Sequence, residues 1–479
     1  MRRHFTMSMT RRISLLITSS LLPALLLAQP ALARHADLYI DAAAKENGDG
    51  SREHPFWRIT DGVVAARALR QHHQHHHHRV TLHVLPGTYV GSYDPDHLAG
   101  NPRLELLPII LNVSNLNLVG GTELDQDSDG LPMGTYPRES ETLLTTETDL
   151  PLSRGQMLLL IASTTDGVAG NKVSVSGFVL DAQALALEGA QGFDIYADRV
   201  SEFSIHHNLL RGGPGVQTRL ALGMFEANFV GPNPNSDGAG IFITGGSMVH
   251  PASVTLRRNR STRNAYGASI RALANFVELR LGANPLMLEP LQMTYDRNNP
   301  EDVRNIPDTL EITIEGNDFS DNSFLGFRCA FYPPFFYTTT DATQPITGSL
   351  SVAVRDNEFN RNFDYGIIVD PANATRSNPR QLTGSFEGTF ERNVLIGNGR
   401  NASGFAFTAI GVSTGRASRA DVKYMQESTF QVADPDGELG GFDYDHPLID
   451  PFDDSPVVGN VLLYNGEVQP NGIMITPRP

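Results

Sequence analysis

Cysteine is all but missing. Cys329 is the only one in 479 residues, which excludes a disulfide framework and leaves one thiol at an inward strand position. Lysine occurs three times (Lys45, Lys172, Lys423), so nearly all positive charge is arginine. With 37 Lys+Arg against 53 Asp+Glu, the net charge is −16, which argues against non-specific nucleic-acid binding. Beyond residue 33 no apolar stretch is long enough to span a bilayer.

Residues 1–33 have the layout of a secretory signal peptide. Arg2, Arg3, Arg11 and Arg12 form the basic region, Ile13 to Leu27 the apolar stretch, and Ala31-Leu32-Ala33 an A-x-A cleavage site. The segment around Arg11-Arg12 resembles a twin-arginine signal, but Ser14 stands where that signal has a bulky apolar residue. The expectation is export by the general route, to the periplasm or the medium.

The mature chain repeats one phrase. Its clearest copy is ITIEGNDFSDNSFLGF, Ile312 to Phe327. Others run from Val254 to Ile270, Val352 to Val369, Phe390 to Phe407, Phe225 to Ile243 and Val457 to Ile475. Each carries two asparagines five residues apart: 228/233, 259/264, 317/322, 357/362, 393/398 and 460/465. In a degenerate copy at FSIHHNLLRGG, Gly213 replaces the second asparagine. Period-2 alternation over three to five residues reads as a short strand with one buried face. One such unit cannot bury its apolar face alone, so units must stack. Asn208 and Asn228 are twenty residues apart, about one turn of a parallel β-solenoid. Asparagine suits the bends because it tolerates left-handed backbone angles and bonds nearby backbone groups.

The phrase resembles the right-handed parallel β-helix repeat of the pectate-lyase-like superfamily, and the stretch from Asp37 through VTLHVLPGTY resembles the opening of many secreted β-helix proteins. The resemblance covers most of the mature chain. It implies an all-β, right-handed parallel β-helix with an N-terminal capping helix and long loops on one side. It does not select an activity, because the superfamily holds lyases, glycosidases, epimerases and non-enzymes. The expected organisation is a signal peptide over 1–33, a cap and first strands over 34–100, and the β-helix over 101–479. Asp37 to Asp41 reads as the first strand. Thr60 or Asp61 is expected to cap a helix through Arg70, with Val63, Ala66 and Leu69 near one face.

Alternation also predicts faces. Two places before the first asparagine stand His206, Glu226, Arg257, Glu315, Arg355, Glu391 and then Val458. Alternating sign over five consecutive copies predicts a structural charge ladder on a solvated sheet. The strand after the second asparagine starts at a glycine, and every large insertion follows it: 272–308, 331–348, 371–384 and 409–455. Loops leaving at one corner build a wall beside that sheet, hence a groove. The superfamily resemblance implies a substrate cleft on the corresponding sheet.

On this sheet Arg271 and Arg328 are expected on adjacent rungs, with Asp370 on the next. Their guanidinium forks suit the carboxylates of an acidic polysaccharide. If the protein is a lyase, Arg271 and Arg328 engage carboxylates, and Asp370 binds a cation or orients a base. Equally, acids in the insertions, eight of them between Asp434 and Asp454, pair with these arginines. Asp125, Asp127 and Asp129 in DQDSDG match the start of a calcium loop. The closing glutamate of an EF-hand is missing, so a calcium-stabilised loop and a solvated acidic turn both fit. HHQHHHH, His72 to His78, fits transition-metal binding or a low-complexity loop. NSDG, Asn235 to Gly238, resembles the NTDG of polygalacturonases, but no Asp-Asp pair, Gly-His-Gly or Arg-Ile-Lys follows. DPDH at Asp94 to His97 is a permutation of the DPHD of alginate epimerases and precedes the repeats. Two functions are carried forward: binding or lyase-type modification of an acidic polysaccharide, and a non-catalytic envelope or surface scaffold or adhesin.

Overall fold

The computed structural model describes residues 35–72 and 79–147, and beyond these the strands and tight turns of successive coils up to residue 475. The leader, 73–78, 148–155, 163–171, 274–308, 333–348, 371–384, 399–409 and most of 434–455 lie outside the described residues. So do NSDG, the histidine-rich stretch after His72 and the asparagines at 460 and 465.

Three sheets dominate, and their strand pairs are parallel, except that late in sheet B Thr429–Ala433 pairs antiparallel with Leu439–Phe442. Sheet A has eleven described strands, sheet B seven and sheet C ten. The chain visits A, B and C in turn and returns one rung further along, which makes a parallel β-solenoid. Inward residues form one continuous core from Ile40 through Phe178, Phe225 and Phe319 to Phe359 and Ile367. Cys329 belongs to it, fully buried and without a disulfide. Among the described residues no helix is long and apolar enough to cross a membrane.

The A-to-B corner is a stack of amides. Asn208, Asn228, Asn259, Asn317, Asn357 and Asn393 lie on successive coils, and each Nδ2 donates to the next Oδ1 at 2.9–3.1 Å. Each Nδ2 also donates to a strand carbonyl of the coil before, as Asn317 does to Leu256 at 2.9 Å. Each Oδ1 accepts a second bond from the preceding coil's asparagine amide, such as Asn259 N to Asn317 at 2.9 Å. A buried turn would otherwise strand these backbone groups at a cost of about 1–3 kcal/mol each. A shorter second ladder at the B-to-C corner joins Asn264, Asn322 and Asn362.

The ladder asparagines do not take the left-handed angles themselves. The preceding residue does: His207, Ala227, Arg258, Gly316 and Asp356 at the first corner, and Arg263, Asp321 and Arg361 at the second. The asparagine side chain then points inward to bond the stack, and the strained position is exposed at His207, Arg258, Arg263, Asp321 and Arg361 but buried at Ala227.

A glycine column follows from the second ladder. Gly215, Gly240, Gly267, Gly326 and Gly366 precede register partners in sheet C. A Cβ on Gly326 would stand 2.7 Å from Asn362 Nδ2, and one on Gly240 would stand 2.8 Å from Asn264 Nδ2. Asp194 occupies the same position one coil before Gly215. It fits because the neighbouring coil has Gly213 where the others have asparagine. Its carboxylate is fully buried with neither oxygen hydrogen-bonded among the described residues. Burial, then Asp181, push it well above the usual carboxylate range.

The first strand is Ala36–Ile40, and the helix runs Ile59–His72. Ile59, Val63 and Ala66 are buried against the core, whereas Leu69 is only partly so. The helix start is capped neither by Thr60 nor by Asp61. Glu105, from a distant strand, accepts from Ile59 N (2.5 Å), Thr60 N (3.0 Å) and Thr60 Oγ1 (2.7 Å). Asp61 instead pairs with Arg58.

The charge column stands in the expected register: His206, Glu226, Arg257, Glu315, Arg355 and Glu391 are successive partners in sheet A. Its next member is Gln426, not Val458. The span 409–455 is therefore not all excursion. Arg419–Gln426 and Thr429–Ala433 continue sheets A and B, and Ile410–Val412 continues sheet C.

Two outcomes test these contacts. Asn317→Ala orphans the Leu256 carbonyl and the Asn259 amide and should cost about 3 kcal/mol in urea unfolding; a loss under about 1 kcal/mol would contradict the ladder's role. Burial lifts the Glu105 carboxyl to about 7 despite its three donors. A raised folded-state value means its contribution is fully present below about pH 4.5 and is lost as pH rises through about 7. Relative to Glu105→Gln, the wild-type chain should lose about 3 kcal/mol between pH 4 and pH 8; a pH-independent difference would refute this.

Candidate functional site on sheet C

By register, sheet C has two columns of positions on the side away from the core. The first runs Leu160, Tyr196, Gln217, Phe242, Ser269, Arg328, Ile368, and the second Ala162, Asp198, Arg219, Thr244, Arg271, Ala330, Asp370. At the N-terminal coils this face is apolar: Met157, Leu160, Phe193 and Tyr196 form a buried cluster separate from the core. Tyr93 holds it to the backbone, with its hydroxyl 2.6 Å from Met157 N and 2.5 Å from Met157 O. From Gln217 onward the face turns polar.

Arg271, Arg328 and Asp370 sit on three successive strands, Tyr266–Leu273, Leu325–Tyr332 and Tyr365–Asp370. Arg271 is opposite Ala330, and Ala330 is opposite Asp370. Arg271 and Asp370 thus share a column with one rung between them. Arg328 stands in the other column, opposite Ser269 and Ile368, about 7–8 Å diagonally from both. Ser269 faces outward, yet only 1 % of its surface is exposed, and its hydroxyl has no hydrogen-bond partner among the described residues. The large neighbours Phe242 and Arg328 flank this small residue in its column.

Sequence reasoning missed Asp198 and Tyr196. Their coil has neither the glycine nor the second asparagine that marks the strand elsewhere, and only register with Arg219 and Gln217 puts them on this face. Asp198 and Asp370 are the acids of the second column, five rungs or about 24 Å apart. The paired carboxylates of glycoside hydrolysis stand within about 10 Å, so these two cannot form that pair. The wall of insertions expected beside the sheet lies outside the described residues, apart from strand ends and the late strands already given.

Asp125, Asp127 and Asp129 lie on a hairpin over sheet B. Asp127 spends one oxygen on the Asp129 amide (3.0 Å) and the Leu131 amide (2.9 Å), and its other oxygen pairs with Arg260. Arg260 also holds Asp318 at 2.9 Å. Burial pushes the Asp127 carboxyl up, but the Leu131 amide and Arg260 outweigh it and hold it below its ordinary value. Glu358 is pushed up by burial and by the nearby Asp318 and Asp129. No group of three or more His, Cys, Asp or Glu among the described residues is arranged to hold a metal ion. Arg260 thus ties the hairpin to sheet B.

One arrangement had no counterpart in the sequence reading. His206 Nε2 lies 3.1 Å from Ser174 Oγ, and its Nδ1 lies 3.0 Å from His207 Nδ1. Burial, then His207, push His206 below its ordinary value. The group lies on sheet A, where the backbone amides of the flanking strands are committed to the parallel ladder. It therefore lacks donors for an oxyanion and reads as a surface network. Asp94, first residue of the DPDH motif, caps the helix Pro95–Gly100 by accepting from Asp96 N.

No family model and no curated protein matches this chain. Among solved structures, DFA-IIIase from Arthrobacter chlorophenolicus A6 in complex with GF2 is 14 % identical at a TM-score of 0.32, over 80 % of this chain and 94 % of that one. A point mutant of the same enzyme gives 13 % and 0.30, over 82 % and 95 %. Likeness at this level carries no argument about activity.

If Arg260 is the hairpin's anchor, Arg260→Ala should open residues 123–136 to limited proteolysis while far-UV circular dichroism stays unchanged. Unaltered resistance to cleavage would mean the hairpin is held by something else.

Proposed function

We propose that this protein is an exported, right-handed parallel β-helix that binds an acidic polysaccharide along the outer face of sheet C. The handedness follows from the strong bias of parallel crossovers, and the helix Ile59–His72 acts as the cap of the first coil. The observation that carries the binding reading is the register of Arg271, Arg328 and Asp370 on successive strands of one outward face. Guanidinium forks bind carboxylates in a bidentate manner, and a polymer of uronates supplies carboxylates at regular intervals.

A second reading is elimination from the bound uronate. It is favoured by the same arginines, which would neutralise the carboxylate beside the acidic C–H, with Asp370 orienting a base or a cation. An arginine base is disfavoured by its very high pKa, so binding without turnover is the primary reading.

Purified protein is titrated with alginate, pectate and glycosaminoglycans, with and without calcium. Binding should weaken with salt, and Arg328→Ala should weaken it about 10- to 100-fold, the loss of one charge-assisted contact. Absorbance from an unsaturated uronate would establish the elimination. Absence of binding to all these polymers would sink the proposal in favour of a non-catalytic envelope scaffold or adhesin.

A further inference from the structure

Phe324 and Phe363 are 40 % and 38 % exposed, an unusual placement for phenylalanine in a chain with so complete a core. They stand at the B-to-C corner on neighbouring coils. Phe324 N donates to Ala265 O at 3.0 Å, and Phe363 N donates to Asn322 O at 3.1 Å. Tyr266, one coil earlier, meets Phe324 edge-on with ring centroids 5.4 Å apart. Three aromatic residues thus mark three consecutive turns at one corner.

This corner is rigid. Each aromatic follows within two residues of a ladder asparagine (Asn264, Asn322 or Asn362), and each asparagine follows a residue held at positive φ. Rings on such a frame lose little freedom when a ligand arrives. The corner also borders sheet C, because Tyr266 and Leu325 open the strands that carry Arg271 and Arg328.

Among the described side chains of this corner one cation is left over, although the whole chain is acidic. Asp321 is taken up by Arg361 through two bonds of 2.7 and 2.6 Å. Arg263 is exposed, and its guanidinium has no partner among the described residues. Flat apolar rings beside an unspent cation match a ligand with both a C–H face and an anionic group. A pyranose uronate has both: its axial C–H bonds meet the negative face of an aromatic ring, and its carboxylate meets arginine. Successive coils advance about 4.8 Å, close to the step of an extended pyranose chain.

We propose that Tyr266, Phe324 and Phe363 form a stacking ridge for the sugar rings of an acidic polysaccharide, with Arg263 engaging its carboxylates, as the rim of the sheet C face opposite the excursions. This rests on the binding function proposed above.

The test compares wild type, the double variant Phe324→Ala/Phe363→Ala and Arg263→Ala. Alginate, pectate and a neutral glucan are the probes, in affinity electrophoresis, with sedimentation of each protein alone. Because both phenylalanines are exposed, the thermal midpoint of the double variant should match wild type. The expected result is at least ten-fold weaker binding of the uronate polymer by the double variant, and a shallower salt dependence in Arg263→Ala. If wild type binds a uronate polymer and the double variant binds it equally, the ridge is wrong while the binding function stands. If wild type binds only the neutral glucan and the double variant loses it, stacking stands and the acidic-polymer reading falls. A wild-type dimer that the double variant abolishes would overturn the ridge, assigning the rings to contact between copies.

Discussion

A chain that turns a corner inside its own core must satisfy the backbone groups it frees there. In this protein the asparagine side chain does so. One amide nitrogen reaches both the next asparagine's oxygen and the previous coil's carbonyl, and one amide oxygen accepts two donors. No apolar side chain provides this, and an ionised carboxylate would provide the acceptor without the donor, at the cost of a buried charge. The rest of the coil adjusts to that bond. The residue before each asparagine takes the left-handed conformation, and the strand after the second corner begins at glycine because the amide already fills the space of a Cβ. Where one coil lacks the amide, at Gly213, Asp194 fills the space instead, its carboxyl pushed above the usual range by burial.

Rigid corners have a consequence for the candidate site. Sheet register in a solenoid is set by the corners, so a side chain's neighbours across coils follow from its offset to the ladder. Arg271, Arg328 and Asp370 stand on successive strands for that reason, although 57 and 42 residues separate them along the chain. The same corners hold Phe324 and Phe363 outward on the opposite rim from the excursions. A polymer lying along the axis would meet a repeating surface whose pitch is the rung spacing.

Electrostatics divides labour among the faces. Sheet A alternates sign along one column, which prevents like charges from opposing the stack. Sheet B uses Arg260 to tie down an acidic hairpin and to offset Asp318. Sheet C and its rim keep Arg263 beside a neutralised Asp321–Arg361 pair.

The solenoid class, the positions of Cys329 and of the charge column, and the adjacency of the Arg271 and Arg328 strands were legible in the amino-acid order, because alternation and fixed asparagine offsets are local patterns that stacking repeats unchanged. Partners separated by variable spacers were not legible. Glu105 reaches a helix 46 residues before it, Asp127 finds Arg260 133 residues on, and Asp198 joins the sheet C face from a coil without the marker residues. The limit is physical: a repeat dictates how one coil lies on the next, whereas burial, neutralisation and exposure depend on which distant segments happen to lie beside it. By itself, then, the sequence determined the winding and its inward set. Only the tertiary structure decided which carboxylates were already spent, which arginine remained available and which aromatics were left facing water.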